Sequence, residues 1–218
     1  MQKTAMLFGA TGLIGAALLR HLLDNPAYDR IIVISRRDLA IKHPKLIQLI
    51  ADLQSITKIE TQLVADDVFC CLGTTRKKTP DLAAYYQVDH DYPLAAASLT
   101  KKNGASSFML VSAIGADPRS ANFYLRMKGE TERDISAVGF DYLHIFRPSL
   151  LTGQRKERRG LESISEGVFT IINPFLVGRM KRYRSIPAAD VAKAMDSAAQ
   201  RKTKGTFIYY WNDIKNVV

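Results

Sequence analysis

The sequence predicts an α/β protein built on a doubly wound parallel sheet. Three observations carry that expectation. Short β-branched runs alternate with longer segments of helical period. The runs are apolar nearly throughout, as strands covered by helices on both faces require. A turn with regularly spaced glycines joins the first run to the first helical segment.

In order, the strand candidates are "TAMLFG" (4–9), "RIIVIS" (30–35), "LIQLIA" (46–51), "DDVFCCLG" (66–73), "SSFMLVSA" (106–113) and "YLHIFRP" (142–148). Helical periodicity falls at 13–24, about 54–63, 80–102 and 121–137. Strand–helix alternation of this kind implies right-handed crossovers and a parallel sheet. Beyond residue 150 the alternation loosens, and 153–186 reads as an irregular cap. "SIPAADVAKAMDSAAQ" then gives a further helix, with Pro187 near its start, and "GTFIYYW" (205–211) a last strand. The 218 residues suit one domain, 1–218, with a core at 1–150 and a cap or substrate region, last helix and last strand at 151–218.

Composition narrows the function classes. The net charge of +10 is uneven: 18 Lys/Arg against 15 Asp/Glu before residue 151, and 13 against 6 after it. Much of the excess lies in "RKERR" (155–159) and "RMKRYR" (179–184). There is no zinc-ligand spacing, RNA-binding signature or basic helix with interleaved aromatics, so no nucleic-acid partner is expected. The N-terminus enters a strand directly, without a signal peptide's apolar core. The longest later apolar stretch, 167–178, contains a proline and is too short for a bilayer. Cys70 and Cys71 are adjacent in an apolar run and read as small, reduced core residues. Together these predict a soluble, cytoplasmic protein. His21, His43, His90 and His144 are scattered, without ligand spacing or an obvious carboxylate partner, so no metal is expected.

The most informative stretch is "LFGATGLIGAALLRHLL". Gly9, Gly12 and Gly15 follow a strand and open an amphipathic helix. The first lets the chain turn, the second lets backbone approach a pyrophosphate, and the third lets helix pack on strand. The helix N-terminus would present N–H groups and partial positive charge to the phosphates, involving Thr11, Leu13 and Ile14. The second strand ends in Ser35, Arg36 and Arg37 instead of an acidic residue. A guanidinium suits a 2′-phosphate bidentately, so NADP(H) is expected over NAD(H). Asp52 and Leu53 are candidates for the adenine edge, and Leu72, Gly73 and Thr74 for the cofactor's other side.

The fifth strand ends at Ser112, twelve residues before Tyr124, and Lys128 lies one helical turn after that tyrosine. Strand ends and the helices that follow them gather at the functional edge of such sheets. An ammonium beside a phenol favours phenolate and is expected to lower the Tyr124 pKa. Tyr85, Tyr86 and Tyr92 share a predicted helix and either pack internally or lie at a dimer surface. Phe169, Phe175, Arg179 and Arg182 are candidate pocket residues, although each also fits a core or surface position.

The glycine motif, S-x-x-G at 112–115, Y-x-x-x-K at 124–128 and "RPSLL" after the sixth strand resemble the short-chain dehydrogenase/reductase superfamily, in its extended or atypical branch. More closely, "VDHDY", "SANFYLRMKGETE" and "FRPSLLTGQRKERRG" are similar to the Tat-interacting-protein (CC3) oxidoreductase-like family and its small bacterial relatives. The resemblance implies an NAD(P)-binding Rossmann fold. It also implies that Ser112 steadies a substrate oxygen, Tyr124 is general acid/base, and Lys128 holds the ribose. Gly9, Gly12 and Gly15 would seat the pyrophosphate with Arg36 at the 2′-phosphate, and Pro148 in "RPSLL" would join the cofactor site. Extended members often carry an asparagine after the fourth strand, where this chain offers Asp89. The expected function is hydride transfer between nicotinamide and a carbonyl or alcohol of a small-molecule substrate, by a monomer or homodimer. A dinucleotide-responsive regulatory protein and a nucleotide-sugar epimerase or dehydratase are the alternatives, and the chain is short for the latter.

Overall fold

The computed structural model describes residues 2–52, 54–153, 176–201 and 203–218. Its centre is a seven-stranded sheet, all parallel, in the order β3-β2-β1-β4-β5-β6-β9. These strands are β1 (Lys3–Phe8), β2 (Tyr28–Ser35), β3 (Leu46–Ile50), β4 (Asp67–Cys70), β5 (Ser107–Val111), β6 (Tyr142–Phe146) and β9 (Gly205–Tyr209). The chain order reverses between β1 and β4, so a switch point opens at their carboxyl ends. A two-residue parallel pair, β7 (Leu151–Thr152) with β8 (Ile186–Pro187), stands apart.

Strand alternation builds two cores. On β1, Ala5 and Leu7 face one layer while Met6 and Phe8 face the other. The first layer is filled by α1 (Leu13–Asp24) and α5 (Ala188–Ala199), with Leu18, Leu22, Val191 and Met195 fully buried. Alanines 192, 194 and 198 give α5 a smooth buried face that suits packing beneath the bulkier leucines of α1. The second layer holds α3 (Tyr92–Lys102) and part of α4 (Phe123–Ala137), through Ala96, Ala97 and Ile135. Truncating one of these leucines, Leu18→Ala for example, would cost about 2–5 kcal/mol.

The structure departs from the sequence reading in particular places. The helix expected at 54–63 is a 3₁₀ segment, Ile56–Gln62. The helix expected over 80–102 is α2 (Leu82–Tyr86), a π turn (Gln87–Asp91) and α3 in series. The last strand stops at Tyr209, and Trp211 opens a terminal helix, α6 (Trp211–Val217). There the Asp213 carboxylate accepts from the Tyr210 N–H at 2.9 Å and caps the start. Of the cap expected at 153–186, residues 154–175 lie outside the described residues, as do Leu53, Phe169 and Phe175. What is described is a 3₁₀ segment (Gly178–Tyr183) and β8. Tyr85, Tyr86 and Tyr92 all make contacts within the chain. Tyr92 hydrogen-bonds Ala51 O at 3.2 Å, Tyr86 donates to Glu130 at 3.1 Å, and Tyr85 packs on Phe123 and Tyr124.

Candidate active site

The β1–α1 turn is fixed by contacts that only glycine permits. Gly9 has φ +85°, and a Cβ there would lie 2.6 Å from the Cys71 carbonyl. A Cβ on Gly15 would lie 2.1 Å from Gly9 O. Gly12 caps α1 without a side-chain hydrogen bond, and no acidic residue occupies the first turn. An anion at this end would therefore meet N–H groups and a helix dipole without a competing carboxylate. Thr11 and Gly12 are exposed, Ile14 and Gly15 are buried, and Leu13 points to Gly153, just past β7.

Arg36 and Arg37 are exposed at the carboxyl end of β2, beside this turn. The Ser35 hydroxyl donates to Arg37 O at 2.6 Å and shapes the bend. Asp52, after β3, is occupied locally. It accepts from the Gln54 and Ser55 N–H groups and the Ser55 hydroxyl, and the Ser55 bonds hold its carboxyl below the usual range.

Segment 71–74 links this turn to the Tyr/Lys helix. Cys71 meets Gly9, while Gly73 lies over the Asp89 carboxylate and the Lys128 ammonium. A Cβ on Gly73 would sit 3.3 Å from Asp89 Oδ1 and 3.8 Å from Lys128 Nζ, so the segment passes directly against that pair. The Thr74 N–H donates to Asp89 Oδ2 at 2.7 Å. The Asp89 carboxylate, 1% exposed, receives Lys128 Nζ at 2.8 Å on its other oxygen. The π turn also leaves the Asp89 carbonyl to accept from Thr131 at 3.1 Å, which ties the turn to α4.

Asn122 caps α4 by accepting from the Leu125 N–H, which places Tyr124 in the first turn and Lys128 one turn later on the same side. The Tyr124 ring stacks on Tyr85 at 6.4 Å and 22°. Although the residue is 36% exposed as a whole, desolvation around the phenol pushes it upward, Lys128 opposes that, and Asp89 adds to it; the net shift is upward. The sequence expectation of a lowered Tyr124 pKa is corrected accordingly. Lys128 does favour phenolate, but desolvation and the carboxylate behind the ammonium outweigh it. Lys128 itself is drawn down by burial and raised by Asp89 and Tyr124, again with a net upward shift.

Ser112 lies at the end of β5, as expected, but its hydroxyl donates to Glu132. Glu132 is in turn held by Arg147, whose Nε lies 2.9 Å from Oε1 and whose Nη1 donates to the Tyr210 hydroxyl at 2.9 Å. The group expected to steady a substrate oxygen is thus the buried end of a partly buried chain across β5, α4, β6 and the β9 terminus. Pro148 is buried, and its carbonyl receives the Ile114 N–H at 2.9 Å.

Sequence reasoning missed Glu132 and Arg147. The available signal was Glu132 four residues after Lys128, on a helix face otherwise lined by Met127, Thr131 and Ile135. His90 is also corrected, because it has carboxylate partners on both ring nitrogens, Asp91 at 2.8 Å and Asp134 at 3.0 Å. Both cysteines have thiols pushed up by burial, Cys70 to about 12. A shallow cavity of about 380 Å³ is lined by Arg182, Tyr210, Asn212 and Asp213, and it shares Tyr210 with the Arg147 chain. The Arg179 side chain is outside what is described. Among the described residues no cluster of His, Cys, Asp and Glu is arranged to hold a metal, and no helix is long and apolar enough to cross a membrane.

The chain is 34% identical over 171 residues to protein HTATIP2 of Rattus norvegicus, covering 77% of this chain and 70% of that one. It is 34% identical over 209 residues to the mitochondrial protein FMP52 of Candida albicans, covering 93% and 90%. The fungal relatives are named as mitochondrial, so they lend no support to the expected cytoplasmic location. Among solved structures it resembles the Bordetella bronchiseptica enzyme WbmH in complex with NAD+, at TM-score 0.70 and 18% identity, covering 96% of this chain and 75% of that one. It also resembles a UDP-glucose 4-epimerase of Thermotoga maritima, at TM-score 0.69 and 17% identity, covering 98% and 81%. These two likenesses establish the fold alone. A family described as NAD(P)H-binding matches residues 9–202, and with that span and these relatives the chain belongs to the NAD(P)H-binding family that includes HTATIP2 and FMP52.

Proposed function

We propose that the chain is an NADP(H)-dependent oxidoreductase that reduces a carbonyl or oxidises the matching alcohol, with Tyr124 as general acid/base. The observation that carries this reading is that segment 71–74 joins the glycine turn to the Tyr124–Lys128 helix. One face of segment 71–74 meets the glycine turn, and Gly73 lies over the Asp89–Lys128 pair beside Tyr124. Gly9, Thr11, Gly12, Leu13, Ile14 and Gly15 would hold the diphosphate. Ser35, Arg36 and Arg37 would hold the 2′-phosphate, with Asp52 and Leu53 at the adenine edge. Leu72, Gly73, Thr74 and Pro148 would flank the nicotinamide half. Residues 1–150 then form the cofactor-binding part of one unit, and 151–218 the part that shapes the substrate side.

When bound, the reduced nicotinamide supplies a hydride. As the C=O π bond opens, Tyr124 gives its phenolic proton to the oxygen and takes a replacement from solvent. Lys128 uses one N–H on Asp89 and keeps two for ribose hydroxyls. With Ser112 bonded to Glu132, the substrate oxygen relies on Tyr124 alone among these groups. NADPH consumption across a panel of aldehydes and ketones tests the reading. Tyr124-dependent turnover of one member supports it, whereas binding without any turnover rejects it. The engagement of Ser112 favours a second reading, a dinucleotide-responsive regulatory protein. That protein would load NADPH, leave the whole panel untouched and bind a partner differently when loaded.

A further inference from the structure

We propose that Asp89 is the positioning residue of this site: paired with Lys128 at 2.8 Å and anchored by the Thr74 N–H, it neutralises the ammonium beside Tyr124 and keeps that phenol a proton donor, which fits the site to carbonyl reduction. The inference rests on the reading of Tyr124 as acid/base.

The geometry is a double register. Tyr85 and Asp89 lie four residues apart along α2 and the π turn, and Tyr124 and Lys128 lie four apart on α4. The first members stack and the second members form an ion pair, so the two elements meet at two successive points. Neither charge of the pair can turn to bulk water, since Lys128 is 5% and Asp89 1% exposed. An unpaired ammonium at this position would pull the phenol toward phenolate, and so toward the base form that serves alcohol oxidation. A carboxylate directly behind it cancels most of that field. A neutral amide at position 89 would accept the same lysine hydrogen bond without the charge.

The groups facing this pair are Tyr124 on α4, Tyr85 on α2, Cys70 at the end of β4 and Arg76 in the loop after it. Cys70, pushed by burial to about 12, is a neutral thiol. Arg76 bears on Tyr85. Asp89 is therefore the one carboxylate among them.

The test is a fluorine NMR titration of fluorotyrosine-labelled protein, with the Tyr124 signal assigned by its loss in Tyr124→Phe. Asp89→Asn is expected to move the Tyr124 ionisation to lower pH, and Asp89→Glu to leave it near that of the unaltered protein. The alkaline limb of NADPH-dependent reduction should shift in the same direction in Asp89→Asn and stay in place in Asp89→Glu. An unmoved Tyr124 titration in folded Asp89→Asn overturns the inference. Asp89→Ser gives the same reading if the asparagine variant does not fold, and failure of both to fold overturns it in favour of a purely structural ion pair. The titration needs no turnover. A shifted signal in a protein without reductase activity would uphold the role of Asp89 and reject the proposed reaction.

Discussion

The glycine turn and the Tyr124–Lys128 helix, the two ends of the candidate site, are built from different material. At the β1–α1 turn the determinants are absences: Gly9 and Gly15 work because a Cβ would overlap backbone at 2.6 and 2.1 Å. On α4 the determinants are side chains paired over long sequence distances, Lys128 with Asp89 and Glu132 with Arg147. The two ion pairs lie one helical turn apart with opposite polarity. The turn should therefore fail as a whole when altered, while the helix should fail one function at a time.

The largest effect is expected from Gly15→Val, which cannot be accommodated against Gly9 O. Circular dichroism and NADPH titration should show loss of folded, cofactor-binding protein. A folded variant with normal affinity would show that helix and turn are not locked together as described. On α4, Tyr124→Phe should lower turnover by about 10²–10⁴-fold while NADPH affinity changes little. A parallel fall in affinity would make the phenol part of the binding surface instead.

Glu132→Ala should cost about 3 kcal/mol in urea unfolding. That is the low end for a broken buried pair, because Arg147 keeps 17% of its side-chain exposure. If Ser112 has no role beyond this chain, Ser112→Ala should leave turnover nearly unchanged.

A control away from both ends is His144, buried against Phe207 and Tyr209 and held down by desolvation to about 4. An unfolded histidine titrates near 6.5, so the unfolded chain takes up the proton first as pH falls. This contribution to stability is intact above about pH 6.5 and is lost on the way down to about 4, by up to about 3 kcal/mol. Urea midpoints for His144→Asn should flatten that slope. The smallest effect is expected from Arg36→Glu, a loss of about tenfold or more in NADPH affinity with NADH nearly unchanged. Equal losses would remove Arg36 from any 2′-phosphate site.

How much was legible in the sequence follows the same division. The glycine turn and the central strands were readable, because backbone close approach and two-sided burial leave local signatures in residue type. Tyr124 and Lys128 were readable from spacing. Their environment was not, since the Tyr124 shift is set first by burial and then by Lys128 and Asp89, the latter thirty-five positions earlier in the chain. Ser112 was placed correctly at a strand end, yet its partner sits twenty residues on, in α4, and is fixed by Arg147 from β6's terminus. The end of β9 was hidden by the aromatic run "YYW", which has strand propensity throughout, while a single cap from Asp213 sets the boundary.

The π turn at Gln87–Asp91 has a consequence for how insertions and deletions are tolerated. Such a turn amounts to one surplus residue in an α-helix, and each residue advances a helix by about 100°. Removing one residue between Tyr85 and Asp89 would close the widened turn and, with it, undo the placement of the Asp89 carboxylate on Lys128 and of its carbonyl on Thr131. The angular phase between Tyr85 and Asp89 is thus set by residue count as much as by residue identity.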